Sequence, residues 1–87
     1  MYFTYIAYFP SSDKLTVGVT MNLLRRKKIL CTQDNGCRIV FLEQYDHSRD
    51  ATRRENELLS LPKSLLKELI DETNPLWLEL VKTPGNE

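Results

Sequence analysis

Three segments of the chain have the composition of β-strands. Residues 2–9 (YFTYIAYF) are rich in aromatic and β-branched side chains. Residues 14–19 alternate between apolar side chains and small polar ones. One face of the strand is therefore apolar, and the small polar side chains of the other face could form the floor of a groove. Residues 38–45 contain an unbroken apolar run, which is typical of a central strand covered on both faces. Turn-forming residues at 10–13 predict that the first two strands form a hairpin.

Three other segments show the periodicity of amphipathic helices: 21–30, 49–60 and 62–72. Thr20 or Asn22 could cap the first helix, and Ser48 or Asp46 the second. The third opens with a proline, which the first turn of a helix tolerates. The resulting order is strand, strand, helix, strand, helix, helix. It predicts an α+β domain in which a three-stranded sheet has helices on both faces.

Length and charge limit what such a domain can be. The 87 residues suit one domain, which we assign to 1–81, followed by a flexible tail over 82–87. Twelve basic residues balance twelve acidic ones, which argues against a protein that coats nucleic acid through bulk charge. The chain shows neither an apolar run as long as a membrane span nor the features of a signal peptide, so we expect a cytoplasmic protein without a membrane partner.

The two cysteines and the single histidine bear on metal binding and redox state. In a cytosolic protein Cys31 and Cys37 are expected to be reduced thiols, and a disulfide between them would need an oxidising environment. Together with His47 they supply too few ligands for a structural zinc site. We therefore do not expect zinc.

Two charged residues occupy positions that should face the sheet. Glu55 shares a helical face with Ala51 and Leu58, and a carboxylate in an apolar stripe is costly to bury without a cation, a donor or a metal. Arg26 lies on the corresponding side of the first helix. One interpretation is a structural ion pair between the two at the edge of the core. The other is a functional site.

The ordered set of motifs supports the second interpretation, because it resembles a GIY-YIG nuclease domain of the short stand-alone bacterial subgroup. The resemblance rests on FTYIAYFPSSDKLTVGVT, then MNLLRRKK, RIVFLEQYDHSRDATRREN and LPKSLLKELIDETNPLWLEL, and spans roughly residues 2–80. Members of the family cut DNA phosphodiester bonds with one divalent metal ion. Their fold is a small antiparallel sheet flanked by about three helices, which agrees with the element order above.

The resemblance assigns roles to four positions. Tyr5 stands where the first motif tyrosine stands and would orient or activate water. Gly18 matches the glycine of the second motif and is a structural position. Arg26 falls at the family arginine, whose planar guanidinium suits a phosphate. Glu55 matches the single acidic ligand, which with water and substrate oxygens would hold Mg²⁺ or Mn²⁺.

The chain departs from the family pattern at two positions. Thr16 takes the place of the second motif tyrosine and is the candidate catalytic residue at that position, although its hydroxyl is shorter and far less acidic than a phenol. Leu30 stands where a histidine or tyrosine is expected and cannot move a proton. The loop after the first helix is also short. These departures leave two hypotheses open: a metal-dependent DNA endonuclease, related to repair or recombination, and a catalytically inactive module that binds DNA or a protein partner.

Basic residues near the predicted site could contact a DNA backbone, namely Arg25, Lys27, Lys28 and Arg53. A run of this kind is more often a solvated helix face. Because the net charge is zero, we expect DNA binding to be weak and mediated by the backbone.

Overall fold

The computed structural model describes residues 1–32, 34 and 36–81. Its elements follow one another as β1 (Tyr2–Phe9), β2 (Lys14–Thr20), α1 (Leu23–Leu30), β3 (Arg38–Tyr45), α2 (Ser48–Leu59) and α3 (Lys63–Thr73). The predicted α+β class and element order are confirmed. Within the described ranges, no helix combines the length and apolar character needed to cross a membrane. The predicted tail over 82–87 lies outside the described residues.

The sheet has the order β2-β1-β3, and both strand pairs are antiparallel. The central strand is therefore β1, and the prediction that residues 38–45 form the central strand is wrong. The apolar run of β3 is buried at an edge because the C-terminal segment covers it there. The backbone N–H of Leu80 donates to the carbonyl of Ile39 at 2.9 Å, and the side-chain amide of Asn74 donates to the carbonyl of Val40 at 3.1 Å.

Side chains alternate across β1 and divide the core between the two faces of the sheet. On one face Ile6 packs into a cluster with buried residues of β3, α2 and α3, namely Val40, Phe41, Leu58, Leu66 and Ile70. On the other face Tyr5 and Ala7 pack with Ile39 and Val81, and with apolar residues of α1, namely Leu23, Leu24 and Leu30. The predicted placement of helices on both faces is thus confirmed, with α1 alone on the Tyr5 face.

Helix boundaries differ from the predicted ones by one or two residues. The first helix begins later than expected because Asn22 is its N-cap and accepts a hydrogen bond from the Arg25 N–H at 3.1 Å. Neither residue proposed as the cap of the second helix is correct. Its N-cap is His47, which has extended backbone and forms no side-chain cap hydrogen bond, and the third helix begins after Pro62 in the same manner.

The end of α1 is linked covalently to the start of β3. Cys31, the C-cap of α1, forms a disulfide with Cys37, which is buried immediately before β3. The expectation of reduced thiols is therefore wrong for this structure. The turns at both ends of the loop bring the two Cα atoms to 5.2 Å, a separation that a disulfide spans. The intervening Gln33 and Asn35 lie outside the described residues.

Candidate active site

The ring of Tyr5 crosses from the central strand to the edge strand. Tyr5 on β1 pairs with Gly18 on β2, so both lie on the α1 face of the sheet. A Cβ added at Gly18 would clash with the Tyr5 hydroxyl and stand 2.6 Å from its Cζ atom. The absence of a side chain at Gly18 thus lets the phenol extend across β2, although Tyr5 itself is only 3% exposed.

Arg26 and Glu55 lie on different helices. Arg26 belongs to α1, whose leucines pack around Tyr5. Glu55 belongs to α2 on the opposite face, and α2 also contacts β2, the strand that Tyr5 crosses. Both side chains are half-buried. Of the residues assigned to the site, Tyr5 and Gly18 are in direct contact, and Arg26 and Glu55 are near enough for their charges to act on the Tyr5 phenol.

The pKa of Tyr5 depends on its burial and on the charges of Arg26 and Glu55. Burial raises the pKa of the Tyr5 phenol above its ordinary value of 10.0. The positive charge of Arg26 lowers that pKa, and the negative charge of Glu55 raises it. The phenol therefore lies within range of both charges and stays protonated at neutral pH.

A structural ion pair between Arg26 and Glu55 was the alternative interpretation of their positions. Among the residues that the structure describes, no salt bridge within 4 Å joins them. The buried-pair interpretation thus lacks the contact on which it depends. Nor does the Glu55 carboxylate accept a hydrogen bond from any other described residue, which leaves its oxygens available to a ligand.

The donor set fits a hydrated divalent ion better than a fully protein-bound one. The described part of the chain contains no group of three or more His, Cys, Asp or Glu side chains that could hold a metal. A single carboxylate is enough for Mg²⁺, which keeps several waters and takes further oxygens from a substrate phosphate. Glu55 is the residue that would hold it.

The two positions that depart from the family pattern have clear places in the structure. Thr16 pairs with Ala7 across the β1–β2 ladder, on the same face as Tyr5, and is half-buried. Leu30, at the end of α1, packs into the apolar cluster around Tyr5 and Ile39. The position where the family carries a proton-transferring side chain is thus occupied here by a partly buried apolar side chain.

The basic residues assigned to DNA binding fall into two groups. Arg25, Lys28 and Arg53 are exposed, and Arg53 makes a long contact of 3.9 Å to Asp50. Lys27 is instead held by the C-terminal segment. Its Nζ atom lies 3.2 Å from the Glu79 carboxylate and donates to the carbonyl of Val81.

A polar network that the sequence does not reveal lies on the α2 face of the sheet. Arg54 donates from Nε to Glu43 of β3 at 2.8 Å and lies 3.2 Å from Glu57. The hydroxyl of Tyr45 donates to the same Glu43 carboxylate. Because Arg54 precedes Glu55, this network fixes the adjacent turn of α2. Arg53 and Arg54 are adjacent and of the same type, so the sequence does not distinguish them. The orientation of α2 does, because Arg54 contacts Glu43 of the sheet and Arg53 is exposed.

In comparisons with known proteins, no family, no curated protein and no solved structure matches the chain. The GIY-YIG resemblance therefore rests on the residues and their order.

Proposed function

We propose that the chain is a GIY-YIG-type endonuclease that hydrolyses DNA phosphodiester bonds with Mg²⁺ or Mn²⁺. The observation that carries the proposal is that the charges of Arg26 and Glu55 both act on the buried phenol of Tyr5, whose ring fills the space over Gly18. A cation for the phosphate, a carboxylate for a metal and a phenol for water are the parts that metal-assisted phosphodiester hydrolysis needs.

Each residue has one proposed role. Arg26 binds the scissile phosphate through paired N–H donors. Glu55 holds the metal ion, which when bound stabilises charge on the phosphate and the leaving oxygen. Since the raised pKa keeps the Tyr5 phenol neutral, Tyr5 is better suited to orienting the attacking water by a hydrogen bond than to removing its proton.

DNA contacts outside this centre are proposed for the exposed cations Arg25, Lys28 and Arg53. Each would meet backbone phosphate and carry no sequence information. The zero net charge of the chain should keep the affinity for DNA low. Because the contacts are to phosphates, the affinity should also fall as the salt concentration rises. We propose a cytoplasmic location and a role in DNA repair or recombination.

A second candidate function is a binding module without catalysis, which engages DNA or a protein partner. The observation that favours it is the apolar packing of Leu30 at the position of an expected proton carrier, together with Thr16 in place of the second tyrosine. Neither side chain replaces the lost proton chemistry. In this case the exposed basic residues would still contribute to DNA binding, whereas Glu55 would have no metal to hold.

A nuclease assay with matched variants separates the two functions. The chain is incubated with single-stranded, duplex and branched DNA in Mg²⁺ or Mn²⁺, beside Glu55→Gln and Glu72→Gln, the latter an exposed carboxylate on α3. Cleavage that Glu55→Gln abolishes and Glu72→Gln retains supports the endonuclease. If no DNA is cut, but binding is retained and lost on neutralising Arg25 and Lys28, the DNA-binding module is supported instead. Absence of both activities overturns both DNA-directed functions.

A further inference from the structure

Thr4 buries a hydroxyl in an otherwise apolar part of the domain. Its side chain is fully inaccessible, next to Ile6 on the face that α2 and α3 cover. The hydroxyl donates to the backbone carbonyl of Ala51 in α2 at 2.9 Å. A buried hydroxyl is costly unless it is hydrogen-bonded, so this bond has to be maintained for the packing to be favourable.

The acceptor of this bond is part of the turn that carries Glu55. In an α-helix the carbonyl of residue i accepts from the N–H of residue i+4, so the Ala51 carbonyl is also the helical partner of the Glu55 amide. At the other end, Thr4 is the chain neighbour of Tyr5. One hydrogen bond therefore joins the strand position beside Tyr5 to the helical turn on which Glu55 sits.

Other contacts of α2 with the sheet fix its orientation less directly. Ala51 and Leu58 are buried by apolar packing, which has no strict directionality. Arg54 adds a polar link to Glu43, the residue that pairs with Thr4 across the β1–β3 ladder. The hydroxyl of Thr4 and the carboxylate of Glu43 thus hold α2 at positions 51 and 54, immediately before Glu55.

We propose that Thr4 is a positioning residue, which sets the placement of the Glu55 carboxylate relative to the Tyr5 hydroxyl. The proposal rests on the proposed metal-dependent function and names a residue for it that touches neither substrate nor metal. Valine has nearly the shape of threonine but cannot donate the bond. Thr4→Val therefore keeps the core filled while it releases α2 to rotate or shift against β1.

The test is a titration of Mn²⁺ followed by paramagnetic broadening of the Glu55 amide in NMR spectra. It compares the wild type with Thr4→Val, Thr4→Ser and Val40→Ala, the last of which removes volume from the same buried cluster without touching the link to α2. Because Thr4 acts on Glu55 through the backbone of α2 and not on its carboxylate, Thr4→Val should weaken Mn²⁺ binding measurably, by up to the roughly tenfold that loss of an outer-shell partner costs. Thr4→Ser, which restores the donor, should recover wild-type affinity. Urea unfolding of each variant tests whether it is folded under the conditions of the titration, and Mn²⁺ affinities are compared at a temperature at which all are folded.

Three outcomes would count against these ideas in different ways. Unchanged Mn²⁺ affinity in Thr4→Val overturns the positioning role and leaves the proposed function intact. An equal loss in Val40→Ala also overturns it, because the effect would then follow from general destabilisation. If the wild type shows no Mn²⁺-dependent broadening at Glu55, the proposed metal-dependent function fails, and the role of Thr4 fails with it.

Discussion

The phenol of Tyr5 occupies the space that a side chain at Gly18 would fill. The hydroxyl and Cζ of Tyr5 are the atoms that a Cβ at Gly18 would meet first, and Gly18 has no left-handed backbone conformation that would itself call for glycine. Glycine is required here by the close approach of a neighbouring ring, not by φ. The pair explains in physical terms why a tyrosine on one strand and a glycine on its partner belong to the same site.

Gly18→Ala is therefore expected to destabilise the domain. In an ordinary strand, exchanging glycine for alanine is favourable by about 0.5–1 kcal/mol, since glycine loses more backbone freedom on folding. Here the added methyl group overlaps a buried ring, and such overpacking costs about 1–3 kcal/mol. The cost of the overlap should exceed the gain from replacing glycine, so urea unfolding should show a net loss of stability.

A second background separates the ring from the backbone as the cause. In Tyr5→Ala the space above Gly18 is open, so adding Gly18→Ala should then be neutral or stabilising. A loss of equal size in both backgrounds would mean that the clash with Tyr5 is not what requires glycine.

The pKa of Tyr5 should respond in opposite directions to the two charges of the site. Removing the negative charge in Glu55→Gln should lower the pKa of Tyr5, and removing the positive charge in Arg26→Gln should raise it. The measurement is a pH titration of selectively ¹³C-labelled tyrosine followed by NMR. Glu57→Gln is the control, because its carboxylate bears on Tyr45 and is not among the groups that shift Tyr5.

Because the pKa of Tyr5 is raised in the folded state, the stability of the domain should fall at alkaline pH. Above the ordinary value of 10.0 the unfolded chain releases the Tyr5 proton while the folded chain retains it. The contribution of Tyr5 is then fully present below pH 10 and is lost as the pH rises through the folded pKa. If Tyr5 titrates at its ordinary value, insensitive to both substitutions, the charges of Arg26 and Glu55 do not act on it in solution.

Local sequence patterns were sufficient to predict most of the fold. Aromatic and β-branched composition placed β1 and β3 at their observed bounds, and helical periodicity placed α1, α2 and α3 to within two residues. Element order also predicted helices on both faces. Spacing alone singled out Glu55 and Arg26, because a charge in an apolar stripe conflicts with burial and is visible without a structure.

What the sequence could not predict depends on contacts between distant segments. An apolar run does not distinguish a central strand from an edge strand whose edge is covered by residues 78–81, so β3 was misplaced. Thr4 looks like an ordinary strand residue until Ala51 is seen to accept its hydroxyl proton. The disulfide was missed because the expected redox compartment, not the geometry of the loop, decided that prediction.

The Cys31–Cys37 disulfide is expected to stabilise the domain and the position of α1. No residue of α1 is fully buried, so the helix depends on contacts at its ends, and the disulfide ties down its C-cap. Closing a short loop contributes about 2 kcal/mol by restricting the unfolded chain. The Cys31→Ser, Cys37→Ser double variant should lose this much in urea unfolding, with faster amide hydrogen exchange in α1.

Reductant provides the matched control for that prediction. Dithiothreitol should destabilise the wild type to the level of the double variant and leave the double variant unchanged. Two free thiols in the purified, air-oxidised protein would contradict the disulfide itself.

Asn74 should be among the most sensitive polar residues outside the site, because its side chain holds the C-terminal segment in place. It is 7% exposed, donates to the carbonyls of Val40 and Leu78, and accepts from the Leu78 N–H at 3.0 Å. Asn74→Ala removes all three bonds and leaves their partners without a donor or acceptor, at a cost of about 2–3 kcal/mol. Asn56→Ala, on an exposed face of α2, should change stability by less than about 0.5 kcal/mol. Urea unfolding measures both. Equal effects would mean that the segment after α3 is held by its apolar contacts instead, foremost the edge-on packing of Trp77 against Tyr8 with ring centroids 4.9 Å apart.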